Sequence, residues 1–191
     1  MKTTIILFFL LLSICALPLT ISAQSPFIRL PTEPGSPVID SLGNPVVGGA
    51  KYYARVISFG VEGGISAANY SNPASCPTDV FLNLSKIVFP PQPPATLRPI
   101  IFHPPNDPTG VVYESDPIYV QFDPVDFCPT MWKLDDQKNI VTLTYPQPTT
   151  FQIRVKDSPK SYIFVGIGIV DELNRLGITD TLIYGFQFVR V

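Results

Sequence analysis

Few residues of this 191-residue sequence are suited to chemistry, and they are scattered. The sequence has one histidine, His103, and three cysteines at positions 15, 76 and 128. A catalytic histidine activates a nucleophile or transfers a proton, and no partner for His103 can be identified from the sequence. One histidine also excludes a histidine-rich metal centre. The sequence therefore predicts no catalytic residues, no metal site and no cofactor, and we do not expect an enzyme.

Two short motifs resemble functional sites but have simpler explanations. Asp135 and Asp136 are adjacent carboxylates, and adjacent acidic residues after a strand are typical of a turn. Gly166 and Gly168 flank an isoleucine, but a dinucleotide-binding loop has a third glycine and connects a strand to a helix. We expect the two glycines to pack closely in the barrel.

Composition and charge exclude further classes of function. The chain has 13 Lys and Arg against 15 Asp and Glu, so no basic excess is present to neutralise nucleic-acid phosphates. The 22 prolines are incompatible with long helices, because proline inside a helix removes a hydrogen-bond donor and clashes with the preceding turn. The composition predicts a mostly β, loop-rich domain that does not bind nucleic acid.

The first 23 residues have the layout of a secretory signal peptide. Lys2 precedes an apolar run over Ile5–Ile14, and small residues lead to a predicted cleavage site after Ala23. The run is shorter than the roughly 20 residues of a membrane-spanning helix; the alternative is an uncleaved signal anchor. We expect a secreted, extracellular chain with an extended leader over 24–36, one domain over 37–191, and no membrane segment after signal removal.

Secretion determines how the cysteines and two asparagines are interpreted. Once Cys15 leaves with the signal, Cys76 and Cys128 are expected to form a disulfide; the alternative is a pair of buried free thiols. Such a bridge would close a loop of about 50 residues and stabilise the fold by about 4 kcal/mol. Asn69 and Asn83 each begin an Asn-x-Ser sequon, so both are candidate glycosylation sites.

The rest of the chain consists of short apolar or alternating segments bounded by Gly, Pro, Asn or Asp. Such segments are typical of β-strands separated by turns. The predicted strands are 51–58, 80–84, 100–102, 118–122, 140–144, 151–155, 162–166 and 182–189. Residues 170–176 alone have a helix-like pattern, and they are too few for a stable helix. The pattern fits either a β-sandwich or a closed barrel.

Several motifs match one known family. Residues 38–53 read V-x-D-x-x-G-x-P, followed by a glycine pair and a tyrosine pair. Cys76 begins the sequence C-P-x-x-V, and Trp132 lies four positions after Cys128. On these motifs, residues 37–191 resemble the plant Kunitz, or soybean trypsin inhibitor, family.

The resemblance implies a fold that periodicity alone cannot identify. Members of the family adopt the all-β fold called a β-trefoil, in which twelve strands form a six-stranded barrel capped by three hairpins with pseudo-threefold symmetry. Cys76 and Cys128 match the pair joined in the family's first disulfide. The second disulfide of the family is missing, because no cysteine follows Cys128. We expect the chain to be a monomer.

The resemblance also implies a binding loop between the predicted strands 100–102 and 118–122. Members of the family insert an exposed loop at this position into a protease cleft in an extended, substrate-like conformation. The matching residues are His103, Pro104, Pro105, Asn106, Asp107, Pro108, Thr109 and Gly110. Three prolines stiffen this loop, which lowers the entropy lost on binding. The resemblance therefore implies a reversible inhibitor of a serine or cysteine endopeptidase.

Two features distinguish this loop from that of a trypsin inhibitor. The position that would enter the protease's primary pocket falls near Asn106 or Asp107, whereas the carboxylate in the trypsin pocket favours Lys or Arg. Gly48 replaces the asparagine that braces the loop in typical members. We expect a target such as a chymotrypsin-like, subtilisin-like or cysteine protease. The alternative is a non-inhibitory defence, storage or symbiosis-related protein with the same fold.

Overall fold

Twelve β-strands make up the regular structure of the residues described below. The computed structural model describes residues 35–58, 61–72, 75–86, 97–124, 127–145 and 147–191. The strands are β1 (Lys51–Val56), β2 (Val61–Ala68), β3 (Asp79–Lys86), β4 (Ile100–His103), β5 (Tyr119–Phe122), β6 (Met131–Asp135), β7 (Ile140–Thr144), β8 (Ile153–Val155), β9 (Tyr162–Phe164), β10 (Ile167–Ile169), β11 (Leu176–Ile178) and β12 (Phe186–Arg190). Across the described residues no helix is long and apolar enough to cross a membrane.

Six of the strands form a closed barrel. Strand β1 pairs with β4 and β12, β4 with β5, β8 with β9, and β9 with β12, all antiparallel. The ring closes between β5 and β8 through two residues that lie just before these strands. The N–H groups of Ile118 and Phe151 donate to each other's carbonyls at 2.9 and 2.8 Å. The predicted six-stranded barrel is confirmed.

The other six strands form the three hairpins β2–β3, β6–β7 and β10–β11. Strand β7 pairs with both β3 and β11, and Phe81 of β3 forms a bridge with Arg175 beside β11. The three hairpins therefore contact one another pairwise. This arrangement, together with the barrel, is the predicted β-trefoil.

The sequence pattern identified eight of the twelve strands and missed β2, β6, β10 and β11. Strand β2 has the sequence VEGGISAA, and β10 and β11 are three residues long with a central glycine. Glycine and alanine have low strand propensity, so pairing with neighbouring strands sets the conformation there. The helix-like segment 170–176 is a turn that leads into β11, in which the Asn174 N–H donates to the Asp171 carbonyl at 3.0 Å.

Aromatic side chains fill the core. Trp132 is fully buried, and its ring centroid lies 5.6 Å from Phe122, 5.8 Å from Phe151 and 5.3 Å from Phe164. Tyr52 is also fully buried, and its hydroxyl accepts a hydrogen bond from the Val47 N–H at 3.0 Å. Side chains from β1, β5, β6 and β9 thus converge on one hydrophobic core.

The predicted disulfide between Cys76 and Cys128 is present. The two Cα atoms lie 5.3 Å apart, within the normal range for a bridge, and the cysteines are separated by 52 positions. The bond ties the segment before β3 to the segment before β6.

The predicted signal peptide and most of the predicted leader lie outside the described residues. The two described leader residues, Gly35 and Ser36, contact the domain. The Ser36 carbonyl accepts a hydrogen bond from the Glu114 N–H at 2.9 Å. Pro37 then forms a β-bridge with Tyr113.

Candidate functional site

Seven of the eight candidate loop residues, 104–110, follow β4 directly. His103 is the last residue of β4 and pairs with Tyr119, the first residue of β5. Residues 105–109 are exposed, whereas His103, Pro104 and Gly110 are half-buried. The tip of the loop is therefore accessible to another protein, and its base is part of the domain surface.

The base of the loop is fixed on its N-terminal side through His103. Its Nε2 atom lies 2.8 Å from Oε1 of Gln121 in β5, and Gln121 Nε2 donates to Thr130 Oγ1 at 3.0 Å. Thr130 is buried. The only histidine of the chain therefore attaches the loop to the barrel wall.

On the C-terminal side, main-chain contacts replace the bracing side chain of the family. The Gly48 N–H donates to the Gly110 carbonyl at 2.8 Å, and the Val112 N–H donates to the Val46 carbonyl at 2.9 Å. A Cβ atom at residue 48 would lie 2.1 Å from the Pro108 carbonyl oxygen, so only glycine lets the loop pack this closely. The loop is braced despite the missing asparagine.

The tip of the loop contains a hydrogen-bonded turn. The Gly110 N–H donates to the Asp107 carbonyl at 2.9 Å, with proline at the second position, as is common in type I turns. Asp107 Oδ1 also accepts hydrogen bonds from the N–H and hydroxyl of Thr109, both at 3.2 Å. Residues 107–110 are thus folded, which differs from the extended conformation that the resemblance implies, and the Asp107 carboxylate is engaged within the loop.

The acidic pair Asp135–Asp136 and the glycine pair Gly166 and Gly168 have structural roles. Asp135 ends β6, and its Oδ1 atom accepts hydrogen bonds from the N–H groups of Gln137 and Lys138 at 3.1 and 3.2 Å, which confirms the turn. The expectation that both glycines pack closely in the barrel is wrong: Gly166 lies exposed in a turn with a φ of 71°, and Gly168 packs closely in the hairpin strand β10. Within the described ranges, no group of three or more His, Cys, Asp or Glu could hold a metal ion.

The two sequon asparagines differ in their surroundings. Asn69 Nδ2 donates to Ser75 Oγ at 2.7 Å and to the Cys76 carbonyl at 3.1 Å, and its Oδ1 atom accepts from two backbone N–H groups. Asn83 lies in β3, half-buried and opposite Gly64 of β2. The amide of Asn69 thus stabilises the turn before the disulfide, and glycosylation of either asparagine stays a prediction.

A cleft of about 610 Å³ lies beside the β10–β11 hairpin, lined in part by Asp171 and Leu182. Asp171 Oδ2 accepts a hydrogen bond from Arg175 Nε at 2.6 Å. Burial alone would raise the pKa of Asp171, but hydrogen bonds from Arg175 and from the Leu173 N–H, with the Arg175 charge, bring this pKa below its usual value. The cleft contains none of the predicted site residues.

The sequence model of the legume Kunitz family, described as trypsin and protease inhibitor, matches residues 38–175. This match covers most of the chain. The chain belongs to the Kunitz family of protease inhibitors. The family is described as one of inhibitors, so the assignment of this chain to it supports the expectation that the chain is not an enzyme. No curated protein sequence matches the chain significantly.

Solved structures of Kunitz proteins have the same fold. Alocasin, a protease inhibitor from giant taro (Arum macrorrhizon), is 23% identical with a TM-score of 0.63, covering 82% of this chain and 99% of its own. The Kunitz-type cysteine protease inhibitor PCPI-3 from potato is 21% identical with a TM-score of 0.62, at 82% and 98% coverage. Soybean trypsin inhibitor, in complex with porcine trypsin, is 21% identical with a TM-score of 0.64, at 82% and 99% coverage.

Proposed function

We propose that the chain is a secreted inhibitor of an endopeptidase and that it blocks the active site with residues 103–110. The observation that carries this proposal is the geometry of the loop in a chain of this inhibitor family. Its tip is exposed, and its base is held by Gln121 on one side and by Gly48 on the other. A loop that is already ordered loses little conformational entropy when it binds. The disulfide, typical of secreted proteins, supports the proposed compartment.

We assign the primary specificity position to Asn106. Asp107 is the neighbouring candidate, but its carboxylate accepts two hydrogen bonds from Thr109 and would have to lose them to enter a pocket. The exposed residues 105–109 include no Lys or Arg, and Asp107 carries a negative charge. The carboxylate in the trypsin pocket would repel this tip, so the target is a protease other than trypsin.

A panel of proteases tests the proposal. The purified protein and three variants, Asn106→Ala, Asn106→Lys and Gln137→Ala, are titrated against trypsin, chymotrypsin, subtilisin and papain. We expect inhibition of at least one enzyme other than trypsin, weakened by Asn106→Ala and unchanged by Gln137→Ala, which alters the distant β6–β7 turn. Asn106→Lys should gain inhibition of trypsin, because its ammonium group suits the pocket carboxylate.

Two results would contradict parts of this proposal. Equal inhibition by Asn106→Ala and the unchanged protein would show that the specificity position lies elsewhere. No inhibition of any serine or cysteine protease would favour the alternative, a non-inhibitory protein on the same scaffold.

A further inference from the structure

Asn106 has the only polar side chain in residues 103–110, all of which the structure describes, that makes no hydrogen bond within this part of the protein. His103 is bonded to the barrel wall, and the side chains of Asp107 and Thr109 are bonded to each other. Asn106 is exposed, and its amide contacts no polar group of the described residues. Its carboxamide is therefore available to a partner.

The backbone on both sides of Asn106 has little freedom. The ring of Pro105 fixes φ on the N-terminal side, and Asp107 precedes Pro108, which disfavours a helical conformation of Asp107. The hydrogen bond from the Gly110 N–H to the Asp107 carbonyl holds the chain beyond this point. The carboxamide of Asn106 is thus carried by an ordered segment, which loses little conformational entropy when a partner binds it.

A carboxamide makes specific demands on the pocket that receives it. The group combines an NH₂ donor with a carbonyl acceptor, and water satisfies both while Asn106 is exposed. Burial of a donor or an acceptor without a partner is unfavourable. A pocket that binds this side chain tightly must therefore supply both an acceptor and a donor of its own.

The common primary pockets of serine proteases do not meet this demand. The chymotrypsin pocket is a hydrophobic slot and the elastase pocket is a small one, so neither pairs with both polar ends of an amide. The carboxylate of the trypsin pocket accepts a hydrogen bond from the amide nitrogen but offers no donor to the amide oxygen. A protease that selects asparagine must instead recognise the carboxamide through hydrogen bonds, which discriminate far better than apolar contacts.

We propose that the target of residues 103–110 is an endopeptidase that cleaves after asparagine, and that its primary pocket binds the carboxamide of Asn106 through at least one donor and one acceptor. This inference rests on the proposed function, since it takes residues 103–110 as the inhibitory loop and Asn106 as its primary specificity residue. It adds the class of protease and the chemical group that the protease recognises. The chain should inhibit such an asparaginyl endopeptidase more tightly than trypsin, chymotrypsin, subtilisin or papain.

Inhibition constants for a purified asparaginyl endopeptidase test this inference, with a fluorogenic peptide that carries asparagine before the scissile bond as substrate. Asn106→Leu keeps the approximate size of the side chain and removes its donor and acceptor, so inhibition should weaken at least about 100-fold. The same variant should inhibit chymotrypsin at least about tenfold more tightly, because leucine suits a hydrophobic pocket. A misfolded loop would weaken inhibition of both enzymes and could not produce these opposite changes.

Asn44→Leu is the matched control, because Asn44 is an exposed asparagine outside the loop. This variant should leave both inhibition constants unchanged. Mass spectrometry after incubation with the asparaginyl endopeptidase should find the unchanged protein intact. Rapid cleavage after Asn106 with loss of inhibition would identify a substrate and would overturn the inference.

The remaining outcomes separate this inference from the proposed function. Equal inhibition of the asparaginyl endopeptidase by Asn106→Leu and by the unchanged protein would show that the carboxamide is not recognised. Inhibition of chymotrypsin, subtilisin or papain without inhibition of the asparaginyl endopeptidase would overturn this target and still support an inhibitory loop. No inhibition of any of these proteases by the unchanged protein or by Asn106→Leu would overturn both.

Discussion

At the scale of single residues, the candidate site depends most on the glycine at position 48. Gly48 has no side chain, and the Pro108 carbonyl and the Pro104 ring occupy the space that a side chain would need. The Gly48 N–H also holds the Gly110 carbonyl. Position 48 therefore determines how closely residues 104–110 lie on the domain.

We predict that Gly48→Ala displaces the loop. The added Cβ would lie 2.1 Å from the Pro108 carbonyl oxygen and 2.9 Å from Pro104 Cδ, so the loop must move. Overpacking of this kind costs about 1–3 kcal/mol, to be measured as the free energy of unfolding in urea. Amide hydrogen exchange over residues 104–112 should accelerate, since the bond to Gly110 is strained.

The neighbouring residue Gly49 provides the control. A Cβ atom there meets nothing within 4 Å, but the φ of Gly49 is 76°, which strains any residue with a side chain. Gly49→Ala should cost about 1 kcal/mol without faster exchange in the loop. Faster exchange in both variants, or in neither, would show that close packing at Gly48 does not hold the loop.

The sequence predicted a loop over residues 103–110, of which His103 belongs to β4, but it did not predict how these residues are held. Proline and glycine content, with the family resemblance, predicted residues 103–110 as one loop. The hydrogen bonds that join His103 to Gln121 and Gly48 to Gly110 could not be predicted, because these residues are distant in sequence and strand pairing sets their proximity. The exposure of Phe127 could not be predicted for a related reason: hydrophobicity predicts burial, and only the fold shows that this ring is exposed.

At the scale of elements, the connection between β10 and β11 is held by one carboxylate. Asp171 accepts hydrogen bonds from the side chain and backbone of Arg175, at 2.6 and 3.2 Å, and from the Leu173 N–H at 3.0 Å. The two ionic side chains are about 30% exposed, at 27% for Asp171 and 31% for Arg175. Solvent therefore screens the pair, and its contribution is modest.

We predict that this contribution depends on pH. The folded-state pKa of Asp171 lies below the ordinary value of 3.8, so the stabilisation is fully present above pH 3.8 and is lost as the pH falls through the folded-state value. Asp171→Asn should lower the free energy of unfolding by about 1 kcal/mol or less at pH 7. The difference from the unchanged protein should shrink below pH 3.8.

Asp180→Asn serves as the comparison, because it removes an exposed carboxylate from the same part of the chain. Denaturation of both variants at several pH values distinguishes a local ion pair from a general charge effect. A pH-independent loss in Asp171→Asn would show that the hydrogen-bond geometry matters and the charge does not.

The same connection shows where strand prediction from sequence fails. Strands with bulky alternating side chains, such as β1 and β5, were predicted from the sequence. Strands β10 and β11 are short, contain glycine, and acquire their conformation from pairing with each other and with β7. Local propensity carries no signal for such pairing.

At the scale of the whole molecule, stability rests on one aromatic core. Trp132, the only tryptophan, is fully buried between three phenylalanines. Its Nε1–H has no hydrogen-bond partner among the described residues. Burying a hydrogen-bond donor without a partner is unfavourable, so the indole of Trp132 stabilises the fold through the volume that it fills and not through a hydrogen bond.

We predict that Trp132→Phe is much milder than Phe164→Ala. The first removes an unpaired donor and part of a ring, whereas the second empties a site in contact with Trp132, Phe151, Phe186 and Phe188. Phe164→Ala should cost about 3–5 kcal/mol and Trp132→Phe less than about 2 kcal/mol, measured by circular dichroism in urea.

Equal losses in the two variants would contradict this account of the core. In the unchanged protein, tryptophan fluorescence should be blue-shifted and insensitive to iodide until the domain unfolds, because the ring is sealed from water. Iodide quenching of the native state would place Trp132 near the surface.

The main-chain brace at Gly48 has a consequence for engineering. Hydrogen bonds between backbone atoms make no demand on the identity of the side chains at the exposed tip. Residues 105 and 106 could therefore be exchanged for other recognition sequences while the anchoring bonds to positions 46 and 48 stay in place. The domain could therefore present different recognition sequences at the tip of this loop, provided that position 48 stays glycine.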